Sequence, residues 1–185
     1  VLDGLNLSPG ASVIDATAGL GGHSALILEA IGPTGRLYAF DRDGRNLKEA
    51  EANLAAHKNV EYFNDSFANM NKYKIPKVDG ILYDLGFSSV HVDDALRGFS
   101  FQKEGPLDMR YDRRQSLTAE EIVNSWSRED LTTAIRQLGE DPLAPHIAKA
   151  ITEARKQNRI TSTTQLADII SDAVRRRGRL HPATL

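Results

Sequence analysis

A glycine-rich stretch, Asp15-Ala-Thr-Ala-Gly19-Leu-Gly21-Gly22-His23-Ser24, lies between an apolar run and a helical pattern. Glycines at such a place let the backbone approach a ligand, and the helix that follows offers N–H groups without internal partners. Asp41 closes the next apolar run about 20 residues further on, where a carboxylate accepts both hydroxyls of a ribose. Together these residues point to an adenosine-containing cofactor. Taken singly they also suit a tight strand-to-helix turn and an acidic helix cap. A third carboxylate, Asp84, opens Asp84-Leu-Gly-Phe-Ser-Ser89 at the end of another apolar run. In an open parallel sheet the carboxyl ends of the strands form the ligand crevice, so Asp84 is expected to face the reaction space. The plainer alternative is a strand-end cap.

Two adenosine cofactors use this layout. Dinucleotide folds place the first glycine directly after the strand, so that pyrophosphate rests on the helix end. Here Asp15 comes first, followed by Gly19 and Gly21. A carboxylate there repels pyrophosphate but suits the ammonium and sulfonium of S-adenosylmethionine. The methyl donor is preferred, and an NAD-dependent oxidoreductase is the disfavoured alternative. Methyl transfer requires in-line positioning and an acceptor lone pair. An exocyclic base amine is a poor nucleophile because its lone pair is delocalised into the ring. A carboxylate at Asp84 accepting the amine N–H would localise that pair as the methyl arrives. No metal cluster, Ser-His-Asp order or Walker loop competes in the sequence, so no metal is expected.

The elements that position these groups follow from periodicity. Residues 12–15, 36–41, 60–63 and 78–84 read as strands; 23–31, stopped by Gly32-Pro33, and 45–56 read as helices. Strands alternating with helices imply an α/β, doubly wound parallel sheet. Beyond Ser89 the pattern becomes helical. Thr118-Ala-Glu-Glu121 and Ser162-Thr-Thr-Gln165 are capping boxes, Ser127 caps another helix, and Leu143, Ile147, Ile151 and Ala154 form one apolar stripe. The expected organisation is a cofactor-binding domain over 1–96, a loop with a helical substrate-recognition subdomain over 97–180, and a return toward the sheet over 181–185.

Composition bounds the rest. Of 185 residues, 41% are hydrophobic and 26% charged, which excludes a disordered or collagen-like chain. The absence of cysteine excludes thiolate chemistry. No apolar run approaches the roughly 20 residues of a membrane helix, so a soluble cytoplasmic protein without a membrane partner is expected. The net charge of −2 divides into −5 over residues 1–96 and +3 over 97–185. A polyanion would therefore meet the second half. Arg97, Lys103, Arg110, Arg113 and Arg114 lie among Phe99, Phe101 and Tyr111, a mixture suited to phosphate contacts and base stacking. Arg97, Arg110 and Arg113 are the candidate RNA contacts; the alternative is a loop tied by internal pairs such as Arg110 with Asp112. Nothing in the sequence sets an oligomeric state.

The glycine turn, Phe40-Asp-Arg-Asp43, Asp84–Ser89 and Arg97-Gly-Phe-Ser-Phe-Gln-Lys-Glu-Gly-Pro-Leu-Asp-Met-Arg110 together resemble the bacterial RsmH (MraW) family, as do Gly139-Glu140, Ile147–Ile151 and His181-Pro-Ala-Thr184. That family methylates the N4 amine of a cytidine in 16S ribosomal RNA, using S-adenosylmethionine. The resemblance implies a class I methyltransferase sheet (Rossmann-like) carrying an inserted all-helical subdomain, with the small ribosomal subunit as partner. It implies cofactor contacts at Gly21, Gly22, His23, Asp41, Phe67 and Asp84, and catalytic roles for Asp84 and Asp108. Phe67 would flank the adenine, or else simply pack in the core. Asp108 would shape the base pocket, or else stabilise the turn after Pro106. His91 occupies the place where the family usually carries a cofactor-contacting Gln. The family's His-x-Pro-Val segment before Leu2 and Phe-Gln-Ala-Leu-Arg segment after Thr184 are not found. A catalytically weak RNA-binding assembly factor that keeps the fold is the alternative.

Overall fold

The structure is a computed structural model that describes residues 2–86 and 89–174. Ser88, the Arg175–Arg179 run, His181-Pro-Ala-Thr184 and the expected return over 181–185 lie outside the described residues. The chain divides into two compact units, Val1–Gly86 with Tyr111–Arg113, and Phe87–Arg110 with Arg114–Leu185.

The first unit runs α1 (Leu2–Leu5), β1 (Ser12–Asp15), α2 (Gly22–Ile31), β2 (Arg36–Phe40), α3 (Gly44–Asn53), β3 (Val60–Phe63), a 3-10 helix (Phe67–Lys72) and β4 (Gly80–Leu82). The strands are parallel, in the order β3-β2-β1-β4. This is the expected open α/β sheet. The chain moves outward from β1 to β3 and then returns to β4 beside β1, so the strand order reverses between β1 and β4. Such a reversal opens a crevice at the carboxyl ends, where ligands bind.

Side-chain alternation covers both faces. Val13 and Leu37, fully buried, join Ile27, Leu28, Ile31 and Leu54 beneath α2 and α3. Ile14, Tyr38 and Phe40 turn the other way, against Phe63, Phe67, Met70, Tyr73, Ile75 and Val78. Phe40 stacks on Phe63 at 4.5 Å, and Tyr73 meets both rings edge-on at 5.6 and 4.7 Å. The second face is thus closed by aromatic side chains around a 3-10 helix, where periodicity had suggested no element. β4 is shorter than the expected 78–84, because Tyr83 and Asp84 have left the ladder.

Asp65 organises that connection. Its carboxylate accepts from the Asn69 amide (2.7 Å), the Ser66 N–H (2.7 Å) and the Tyr73 hydroxyl (2.9 Å). Led by the Asn69 bond, these hold its carboxyl below the usual carboxylate value. A depressed folded-state pKa gives stability that is present above the unfolded value and lost as pH falls through the folded one. Asp65→Asn should therefore flatten the acid limb of the stability curve, read as urea midpoints between about pH 6 and pH 3. Parallel curves for variant and wild type would refute this.

The second unit contains α4 (Ser89–Asp93), a 3-10 turn (Ala95–Arg97), α5 (Ala119–Ser125), α6 (Arg128–Leu138), α7 (Ala144–Ala154) and α8 (Thr163–Val174). Thr118 Oγ1 accepts from Glu121 N–H (3.1 Å), Ser127 Oγ from Asp130 N–H (3.0 Å) and Ser162 Oγ from Gln165 N–H (3.2 Å). All three expected caps form. Leu107, Val123, Leu131, Ile147, Ala148, Ile151 and Ile160 make the core. The aperiodic loop before α5 is ordered by long-range bonds. Thr163 N–H donates to Gly105 O (2.9 Å), Thr163 Oγ1 accepts from Gly105 N–H (3.1 Å), and Pro106 bridges Ser162. Gly98 sits at φ 74°, and a Cβ there would be driven into the Pro106 carbonyl oxygen.

Candidate cofactor and reaction site

β1 delivers the glycine turn to the carboxyl edge of the sheet. Gly19 and Gly21 hold φ of 55° and 90°, a region that side-chain-bearing residues rarely adopt. A Cβ on Gly21 would lie 3.1 Å from Leu54 Cδ1, whereas nothing lies within 4 Å of one on Gly22. Gly21 caps α2 without any side-chain hydrogen bond. The backbone of Gly22 is therefore approachable where the helix presents its positive end.

Asp41 follows β2 directly. Its Oδ2 accepts from Gly19 N–H (2.8 Å) and its Oδ1 from Asp43 N–H (2.7 Å), tying the glycine turn to the end of the neighbouring strand. Asn64 donates to the backbone oxygens of Asp41 (2.9 Å) and Arg42 (3.1 Å), fixing the same corner. Carboxylate oxygens accept more than one hydrogen bond each, so this anchoring is compatible with holding a ribose diol.

Asp15 corrects an expectation. Placed on sequence grounds to meet ligand charge, it is instead completely buried. Its Oδ2 accepts from the Ser24 hydroxyl (2.7 Å) and its Oδ1 from Thr17 N–H (3.2 Å). Burial pushes its carboxyl above the usual value, and the Asp84 charge adds to that; the Ser24 and Thr17 bonds and the His23 charge oppose it. Asp15 braces the turn.

Asp84 lies just past β4 with its side chain 64% exposed. Its N–H donates to Thr17 Oγ1 (2.8 Å), and its Oδ2 stands 3.6 Å from His23 Nδ1, too far for a hydrogen bond. Phe67, half-buried, meets Tyr83 edge-on at 5.3 Å. The first unit thus gathers Gly21, Gly22, His23, Asp41, Phe67 and Asp84 at the carboxyl end of its sheet. Sequence reasoning missed Thr17, Ser24, Asn64 and Tyr83 here. Their partners lie 9 positions away for Ser24, 23 for Asn64 and 67 for the Thr17 hydroxyl, so no local pattern marks them. A groove of about 600 Å³ at the other end is bordered by Glu29, Arg36, His57 and Asn59. Arg36 there pairs with Glu61 (2.9 Å), and the Asn59 amide is held by the Gly32 and Gly35 carbonyls.

The remaining candidates belong to the second unit, apart from Arg113. His91 is buried and packs against the Phe99 ring at 5.2 Å. Arg97 is a second correction. Only 4% exposed, it donates from Nη2 to the Arg110 carbonyl (3.1 Å), so it organises the loop instead of facing RNA. Asp108 accepts from Arg110 Nε (2.7 Å), Nη2 (2.9 Å) and N–H (3.1 Å), and Arg110 Nη1 reaches the Gln115 carbonyl (2.6 Å). An internal Arg–Asp pair does form, with Asp108 as the partner of Arg110. Met109 at φ 58° lies between the two residues that clasp. Arg113 is exposed and is grouped with the sheet unit. Among the described residues no three His, Cys, Asp or Glu side chains group as metal ligands.

A glycine turn beside the reversal of a parallel sheet, with a carboxylate closing the next strand, defines the nucleotide-binding class of open α/β folds. Comparison with known proteins is more specific: the chain belongs to the MraW methylase family, whose profile matches residues 1–185. It is 45% identical over 181 residues to ribosomal RNA small subunit methyltransferase H of Caldicellulosiruptor bescii, covering 95% of this chain and 59% of that protein. It is 44% identical over 186 residues to the enzyme of the same name from a Cyanothece species, covering 100% and 62%. The chain spans about three fifths of the length of these relatives. A crystal structure described as a putative rRNA-methylase from Clostridium thermocellum superposes with a TM-score of 0.42 at 27% identity, over 44% of this chain and 45% of that one.

Proposed function

We propose that the protein transfers a methyl group from S-adenosylmethionine to the exocyclic N4 amine of a cytidine in 16S ribosomal RNA, acting on the small ribosomal subunit in the cytoplasm. One observation carries this reading. In a chain whose residues 1–185 match the MraW methylase profile, Gly21, Gly22, His23, Asp41 and Asp84, all expected to hold the donor, follow the carboxyl ends of β1, β2 and β4. Among the described residues no helix is long and apolar enough to cross a membrane.

The residues fit the donor. Gly21, Gly22 and His23 in the glycine turn would hold it together with Asp41, which would take the ribose, and Phe67 with Tyr83, which would offer an aromatic edge to the adenine. When bound, S-adenosylmethionine supplies an electrophilic methyl on a sulfonium centre. Asp84 accepts an N–H of the amine, holding the nitrogen lone pair toward the methyl rather than in the ring. The target base must leave its stack to reach such a crevice. Asp108, neutralised by Arg110, shapes the base-binding loop without supplying charge. Residues 1–96 thus hold the donor and 97–180 recognise RNA, with His91 contributing through its packing on Phe99.

The test is methyl transfer to naked 16S RNA and to assembled small subunits, with the modified nucleoside identified by mass spectrometry. N4-methylcytidine at one site supports the reading. RNA and donor binding without turnover would favour the assembly-factor alternative. Binding to RNA should weaken with added salt, and Arg113→Ala should reduce the slope of log affinity against log salt by about 1 if its guanidinium meets a phosphate. An unchanged slope would remove Arg113 from the RNA surface.

A further inference from the structure

We infer that Thr17 is a positioning residue that sets the Asp84 carboxylate, through a run of hydrogen bonds across the reversal of the sheet. The last main-chain bond between β1 and β4 runs from Ala16 N–H to Leu82 O (2.9 Å). Beyond it a side chain takes over, as Thr17 Oγ1 accepts Asp84 N–H at 2.8 Å. The two residues are 67 positions apart, so the bond pins the end of one strand to the end of another. Thr17 is itself held, since its N–H donates to Asp15 Oδ1 (3.2 Å), and the other oxygen of Asp15 receives the Ser24 hydroxyl (2.7 Å). Asp15 and Ser24 are both fully buried. His23, the neighbour of Ser24, brings its Nδ1 to 3.6 Å from Asp84 Oδ2, beyond hydrogen-bond reach.

The exposure of Asp84 explains why an anchor is needed. Most of its side chain meets no packing surface, so its position follows from its backbone. The acceptor is the side-chain hydroxyl of Thr17, which takes the Asp84 N–H. Removing that acceptor leaves an N–H that water can reach, so the loss falls on placement and not on folding. The inference rests on the reading of Asp84 as the carboxylate that meets the amine.

The experiment compares Thr17→Val, which keeps shape, Thr17→Ser, which keeps the hydroxyl, Asp84→Asn and the Thr17→Val/Asp84→Asn pair in the intact protein. Without cofactor, amide hydrogen exchange over residues 82–86 should be faster in Thr17→Val and wild-type-like in Thr17→Ser, with melting temperatures little changed. Single-turnover methylation at saturating donor and small subunits should slow about tenfold in Thr17→Val and less than about twofold in Thr17→Ser. Added to Asp84→Asn, Thr17→Val should cost nothing further, as expected of residues acting through one group. Unchanged exchange in Thr17→Val, equal slowing by both Thr17 variants, or additive losses in the pair would overturn the inference. If Asp84→Asn retains full rate, the reading of Asp84 fails, and the exchange comparison still decides whether Thr17 holds the segment.

Discussion

Asp84→Asn is expected to slow single-turnover methylation by about a hundredfold with donor and RNA both saturating. The substitution preserves shape and removes the charge that, on the proposed reading, localises the amine lone pair. Saturation takes binding defects out of the comparison, so the loss reads the transfer step. The fold should not suffer. The carboxylate is largely exposed, the His23 ring stands 3.6 Å away, and the bond that anchors the residue comes from its backbone N–H. The melting temperature should therefore stay close to that of the wild type. A near-wild-type rate would mean that Asp84 serves the architecture alone, and that another group accepts the amine proton.

Asp41→Ala is expected to weaken S-adenosylmethionine binding roughly ten- to a hundredfold, the equivalent of about 1.5–3 kcal/mol for a lost charge-assisted hydrogen bond. A carboxylate that held only the ribose could be removed at little cost to the fold. The structure revises this, because Asp41 also accepts the Gly19 and Asp43 N–H groups. The alanine variant should accordingly lose cofactor-free stability as well, by about 1–3 kcal/mol if those N–H groups find no other partner. Asp41→Asn separates the two effects, since its amide oxygen keeps one of these acceptors while the charge disappears. Calorimetric titration with the donor, beside denaturant melts of the cofactor-free protein, measures both quantities. Unchanged affinity in a folded Asp41→Ala variant would end the assignment of Asp41 to the ribose.

Much of this protein was legible residue by residue. Strand and helix positions followed from short apolar runs and helical patterning, and the caps at Thr118, Ser127 and Ser162 formed as spaced. The glycine turn and the carboxylates after β2 and β4 were visible for the same reason. Each depends on residues within a turn or two of one another, where propensity, capping and φ restrictions act. Distant contacts decided the rest. The order β3-β2-β1-β4 brought Thr17 to Asp84, a pairing that no local pattern encodes. Burial of Asp15 under Ser24 turned an expected ligand contact into a brace. Arg97 disappeared into a loop stapled to the start of α8, and Arg110 folded back onto Asp108 across Met109. A charged side chain looks the same in sequence whether it meets water, ligand or another residue. Only long-range packing sets its desolvation and its partners, and those set its role.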